Sequence, residues 1–213
     1  MSPTSSWTCL VNNMSTAINE LKKLYYADFE HALSTFKKCS YDSTAGLYLV
    51  SNETECLNFD FVKSALGFDC ASCDSLYFSL PRDTILFVEF KNQPIRNAFE
   101  NIGKSGCDSL YIHLVYSKKV GISVESIKHH YLAVIASNKN DSNKNSAVSA
   151  MIDRSSPNGS FDVSDYDFYC ESAEKLSSDR MEREYGDVIE GKIKYDLFKI
   201  VLSDSFDTVV SLY

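Results

Sequence analysis

The sequence predicts an α/β (α+β) fold, a mixed β-sheet flanked by helices, on three observations. Two apolar, aromatic and β-branched runs, CDSLYFSL from Cys73 and TILFVEFKNQ ending at Gln93, flank a short Pro81-Arg82-Asp83 connection and read as a β-hairpin. Apolar residues recur at three- and four-residue steps on either side of that hairpin, at Leu21, Leu24, Tyr25, Phe29, Leu33 and Phe36, and again at Ile95, Ala98, Phe99 and Ile102. This is the spacing of helices with one buried stripe. Downstream, Tyr131 to Ala136 (YLAVIA) is short and uniformly apolar, the pattern of a strand central to a sheet.

Taken in order, the first residues are polar and expected to fray, apart from Trp7, Leu10 and Val11. Ser15 is the expected N-cap of a helix from Thr16 to Cys39. Ala45 to Val50 reads as a strand after a turn at Tyr41 to Thr44, and Cys56 to Leu66 carries both strand alternation and a helical turn. Pro94 suits the first turn of the helix after the hairpin, and Gly103 and Gly106 are expected to bracket its end. Ser109 to Tyr116 (SLYIHLVY) then reads as a strand, with His113 a hydrogen-bonded core histidine. Ser137 to Ser146 is a polar loop, Ser156-Pro157-Asn158-Gly159 a turn, Glu171 to Glu184 a charged helix, and FKIVL near the end a strand. Residues 1–136 are expected to form the core, with 137–213 a C-terminal extension packing on the same domain.

With 213 residues, 44% of them hydrophobic, the chain suits one domain with a sizeable core. A net charge of −8 argues against broad, non-specific nucleic-acid binding, which needs a basic surface. Nothing in the chain reads as a membrane span or a signal peptide, so the expected compartment is the cytoplasm. Seven irregularly spaced cysteines fit reduced thiols better than a disulfide framework. Cys70-x-x-Cys73 is half of a zinc pattern, with Cys39 or Cys56 as distant partners, and a closed zinc site needs four ligands.

The hairpin carries the candidate chemistry. A loop symmetric about Pro81 and Arg82 pairs Leu80 with Asp83, and the same register sets Asp74 opposite Glu89. Cross-strand Cβ atoms lie about 5 Å apart, so two bare carboxylates there repel, and a divalent cation between them would turn the repulsion into a binding site. Lys91 follows Glu89 by two positions and leaves the same face. Ile85, Leu86, Phe87, Val88 and Phe90 imply a strand covered on both faces, where an unpartnered carboxylate is costly.

Asp74 followed by Glu89-Phe90-Lys91 on the next strand resembles the motif of the PD-(D/E)XK nuclease superfamily, with Cys73 standing where that family usually has Pro. The resemblance implies a restriction-endonuclease-like core: a helix, a three-stranded meander, a second helix and a further strand. It also implies an Mg²⁺- or Mn²⁺-dependent nuclease, with DNA favoured over RNA as partner. Asp74 and Glu89 would hold the metal with the Phe90 carbonyl, helped by Glu30 of the first helix or, as in some relatives, by a histidine such as His31. Lys91 would be catalytic, and Gln93, Arg96 and Lys104 would flank the substrate phosphate. Asp60 is a further candidate ligand.

Another reading is a nuclease-like fold that binds without cutting: an interaction module, an antitoxin- or immunity-type partner, or a nucleic-acid mimic. The acidic stretch Asp162 to Asp167 favours it, with the C-terminal region as the surface for a homodimer or a protein partner. A third is a zinc-stapled domain built on Cys70 and Cys73.

Overall fold

The structure, a computed structural model, describes residues 5–140, 163–187 and 194–213. A six-stranded mixed sheet is flanked by helices, the predicted fold class. The elements run α1 (Ser5–Asp28), β1 (Leu33–Thr35), α2 (Phe36–Cys39), β2 (Tyr41–Asp42), β3 (Leu47–Tyr48), β4 (Glu55–Asn58), α3 (Phe59–Ala65), β5 (Ser75–Ser79) and β6 (Thr84–Lys91). There follow α4 (Ile95–Lys119), β7 (Lys128–Ile135), α5 (Ser137–Asn140), α6 (Val163–Tyr185), β8 (Leu197–Leu202) and α7 (Phe206–Val210). Strand order is β1-β4-β5-β6-β7-β8. The first four are antiparallel neighbours, whereas β6, β7 and β8 run parallel, with α4 as the crossover from β6 to β7. Short β2 and β3 form a separate ribbon.

The hairpin forms in the expected register, with Ser79 opposite Thr84 and Ser75 opposite Val88. Its connection is a 3-10 turn, Leu80–Arg82, closed by Asp83 at φ 49°, a left-handed position that Asp tolerates. β6 is buried along its length up to Lys91 and is covered on both faces. Ile85 and Phe87 enter the larger core with α1 and α4, while Leu86, Val88 and Phe90 enter a second core with Phe36 and Phe206.

Several sequence expectations are corrected. The helix expected over Thr16–Cys39 starts at Ser5 and stops at Asp28, and a 3-10 turn, Glu30–Ala32, leads into edge strand β1. Its stripe is real through Leu21, Tyr25 and Phe29, but Leu33 is exposed and Phe36 lies in the core on the other side of the sheet. The chain therefore has to cross the sheet edge, and one helix cannot bury both groups. The Ala45–Val50 strand shrinks to Leu47–Tyr48. The ambiguous 56–66 run is both things in turn, β4 and then α3, divided by Asn58, whose side chain accepts from the Phe61 N–H at 3.3 Å.

The largest correction is α4, a single 25-residue helix that absorbs the strand expected at Ser109–Tyr116. Its second half is packed between the sheet and α6 and buried on nearly every side, so no polar face marks its period. Gly103 and Gly106 do not end the helix. A Cβ on Gly103 would sit 2.8 Å from the Ala173 carbonyl oxygen of α6, and one on Gly106 3.0 Å from the Phe198 ring of β8. They are glycine because two neighbours approach the helix there. His113 is a buried core residue, 3.0 Å from the Tyr25 hydroxyl through Nδ1.

Beyond residue 136, α6 packs along α4, with Arg180 3.1 Å from the buried Asp108 carboxylate, and β8 extends the sheet beside β7. The start of the polar loop, 137–140, is the helical turn α5. The remainder of that loop, the turn at 156–159 and Asp162 lie outside the described residues. Among the described residues no helix is long and apolar enough to cross a membrane.

Candidate active site

Asp74 is held by its backbone on two sides. Its N–H donates to the Val88 carbonyl of β6 at 3.0 Å, one residue out of the hairpin register, and its carbonyl accepts from the Phe59 N–H at the start of α3, also at 3.0 Å. The loop that delivers it is tied to α4: Cys73 N–H donates to Ser109 Oγ at 2.7 Å and Ala71 N–H to Asp108 Oδ2 at 3.1 Å. The paired register ends at Ser75 opposite Val88, so Asp74 lies just before β5 and outside the ladder in which the sequence places it opposite Glu89, although the Glu89 charge still reaches it. Asp74 Oδ2 also accepts the Phe90 N–H at 2.5 Å. In a strand the N–H and C=O of one residue leave on the same side, so the Phe90 carbonyl faces Asp74 too.

Glu89 is buried to 1% exposure. One carboxylate oxygen, Oε1, pairs with Lys91 Nζ, while Oε2 reaches no hydrogen-bond partner of acceptable geometry. Behind it the Ser105 hydroxyl of α4 meets the Tyr131 hydroxyl of β7 at 2.6 Å.

The electrostatics follow from this packing. Burial, then the Glu89 charge, raises the Asp74 carboxyl well above its ordinary value, while the Phe90 N–H and Lys91 pull it back. Burial likewise raises Glu89 against the opposing pull of Lys91 and Ser105. Burial disfavours the charged Lys91, but Glu89 and Asp74 outweigh it and leave the ammonium above its usual value. The site is short of positive charge at a point where two carboxylates meet.

Asp74, Phe90, Lys91 and Gln93 line a cleft of about 270 Å³, closed on the other side by Cys39, Tyr41 and Asp42. Asn92 donates to Asp42 Oδ2 at 2.7 Å, fastening the β2–β3 ribbon to the strand end. Lys139 donates to the Asn92 carbonyl at 2.7 Å, and Asn140 accepts the Ile95 N–H at 2.8 Å, which fixes the corner between β6 and α4.

Asp74, Glu89, Phe90, Lys91 and Gln93 thus come together. Asp60, in the first turn of α3, bonds Lys63 and Ser72, and its charge reaches Asp74, Glu89 and Lys91. Glu30 and His31 are exposed on the 3-10 turn after α1, and neither lines the cleft. Arg96 and Lys104 lie on α4 away from the cleft wall, Lys104 exposed. Among the described residues no group of three or more His, Cys, Asp or Glu side chains is arranged to hold a metal, a zinc set on Cys70 and Cys73 included.

The residues that sequence reasoning missed are Asp42 and Asn92 on the cleft wall, Ser105 and Tyr131 behind Glu89, and Asp108 and Ser109 under the Asp74 loop. Only the last pair left a trace, in the CDSLY pentapeptide that occurs at Cys73 and again at Cys107. The chain matches no protein-family model, and no curated protein or solved structure is found similar to it.

Proposed function

We propose that the protein is a divalent-metal-dependent nuclease that hydrolyses phosphodiesters. The observation that carries this reading is the Asp74–Glu89 pair, one carboxylate just before β5 and one on β6 within reach of each other's charge, both raised by burial, beside a lysine at the wall of an open cleft. Burying such a pair costs stability unless a cation joins it. The donor set fits Mg²⁺ or Mn²⁺: oxygen ligands only, from Asp74, Glu89 and the Phe90 carbonyl, with room in the cleft for waters and a phosphate. The metal would supply an activated water and offset charge on the scissile phosphate.

The chain's own contributions can be stated without the metal. Asp74 and Glu89 must be deprotonated to act as ligands. Lys91, attached to Glu89 Oε1 in the free protein, would turn toward the developing negative charge once Glu89 binds elsewhere. Gln93 offers an amide group along the cleft for a phosphate backbone. The element order also supports the reading, since α1, the antiparallel run β4-β5-β6, α4 and the parallel β7 follow the order of the PD-(D/E)XK core. DNA is the favoured substrate on that resemblance alone.

One observation favours a second reading, a nuclease-like fold that binds without cutting. The Glu89–Lys91 ion pair is the geometry a purely structural pair would adopt. A panel of supercoiled, linear and single-stranded DNA, with RNA, incubated with Mg²⁺ or Mn²⁺ and with chelator, separates the two. Cleavage that needs metal and disappears in Glu89→Gln supports the nuclease. No cleavage of any substrate by a protein that binds Mn²⁺ supports the binding module.

A further inference from the structure

Two thiols meet at the wall of the same cleft. Cys39 ends α2 and lines the cleft, half-buried, while Cys56 lies beneath it in β4, fully buried. Their sulfurs are 3.8 Å apart, the one sulfur–sulfur contact among the described residues. The backbone around them is fixed, because Ser34 sits opposite Cys56 in the β1–β4 ladder and Thr35 caps α2. Sulfurs already in contact must approach further, to about 2.05 Å, to form a disulfide bond.

We propose that Cys39 and Cys56 form a reversible dithiol–disulfide couple, closed by exchange with a low-molecular-weight disulfide of the glutathione type. The two sulfurs divide the roles by access. Cys39 faces the cleft and can be reached, whereas Cys56 is fully buried and does not line the cleft. The Cys39 thiolate attacks one sulfur of the disulfide RSSR, forming a mixed disulfide and expelling one RS⁻. Cys56 then gives up its proton and attacks the Cys39 sulfur, closing the protein disulfide and expelling the second RS⁻. The two cysteines lose two electrons and two protons, and RSSR becomes two RSH. The contact between the two thiols biases the reactivity in this order, holding Cys39 below the ordinary thiol value and Cys56 above it. By contrast burial raises Cys70, Cys73, Cys107 and Cys170, which makes them poorer nucleophiles. This proposal does not depend on the nuclease reading. It would make the cleft wall sensitive to redox state whatever the cleft binds.

Trypsin provides a clean test, since no Lys or Arg lies between Lys38 and Lys63 and both thiols emerge in one peptide. The folded, full-length protein is incubated with oxidised glutathione, its free thiols are blocked with iodoacetamide, and the peptide from Cys39 to Lys63 is weighed. The expected peptide carries no alkyl group and is lighter than the reduced form by two hydrogens, and dithiothreitol restores it. Cys56→Ser should retain glutathione on Cys39, while Cys39→Ser should leave Cys56 unmodified in the folded state. In the reduced protein Cys39 should react with iodoacetamide at least about tenfold faster than Cys70. Recovery of wild-type peptide with two alkyl groups, or with glutathione kept on Cys39 and Cys56 alkylated, overturns the proposal, as does oxidation of Cys70 or Cys170 before Cys39.

Discussion

Replacing Asp74 with Asn removes one charge of the carboxylate pair and little else. The amide oxygen can still accept the Phe90 N–H that Asp74 Oδ2 accepts at 2.5 Å, so the local hydrogen bond survives. What disappears is repulsion. Two unit charges about 5 Å apart at an effective dielectric constant of about 20 repel by roughly 3 kcal/mol. The attraction between Asp74 and Lys91 is lost as well, which reduces the net gain to about 1–2 kcal/mol. For a chain of this size that is a rise in Tm of about 2–8 °C near neutral pH.

The sign with pH is fixed by the direction of the shift. The folded-state carboxyl lies above its unfolded value, so the folded state binds the proton more tightly. Stability from this group is therefore full below the unfolded carboxyl value, about pH 4, and is lost as pH rises through the folded value. Wild-type and Asp74→Asn melting curves should converge near pH 4 and separate toward pH 8, with the variant the more stable. Thermal melts by circular dichroism across that range, in metal-free buffer, are the assay. A variant less stable than wild type at every pH would refute the reasoning, because Asp74 would then be a net stabilising charge and not half of a repelling pair.

Lys91→Met should lose cleavage by about 10²-fold or more while keeping Mn²⁺ binding, and should melt lower in metal-free buffer with Mn²⁺ restoring part of the loss, because Glu89 is left buried without its cation. A lower Tm without any recovery on adding Mn²⁺ would mark Lys91 as structural only. Arg180→Ala leaves Asp108 buried and short of its charged partner, and urea titration should show a loss of about 3 kcal/mol. Gly103→Ala should destabilise by about 1–3 kcal/mol in the same assay, since α4 and α6 must separate to admit the Cβ. Tyr25→Phe should cost about 1–2 kcal/mol by removing the partner of His113 Nδ1.

How much could be read in advance depended on whether the information was local. The hairpin was legible because its turn is short and its alternation strong, and the register of a symmetric hairpin follows from its turn. That register alone predicts Asp74 near Glu89 with Lys91 on the Glu89 face, although the ladder ends at Ser75 and Val88 and the Asp74 N–H takes the Val88 carbonyl. The crossing from α1 to β1 was not legible, because Leu33 and Phe36 continue the helical spacing while facing solvent and the opposite core. Residues 109–116 were misread for a similar reason. A helix buried on most sides has no polar stripe, and its β-branched and aromatic residues then imitate a strand. Asp42 and Asn92, set 50 positions apart, come together only when the β2–β3 ribbon docks, so no spacing in the chain announces them. Cys39 and Cys56 escaped notice as a pair for the same reason, since only the β1–β4 pairing brings them into contact.

Calorimetric titration of Mn²⁺ into wild type, Asp74→Asn and Glu89→Gln tests the central claim most directly. Because both carboxyls are raised and must lose a proton to bind, wild-type affinity should rise as the pH is raised, with proton release. Each variant should lose at least about tenfold in affinity at the higher pH while remaining folded. Wild-type protein that takes up no Mn²⁺, or variants that bind it as tightly as wild type, would contradict the account.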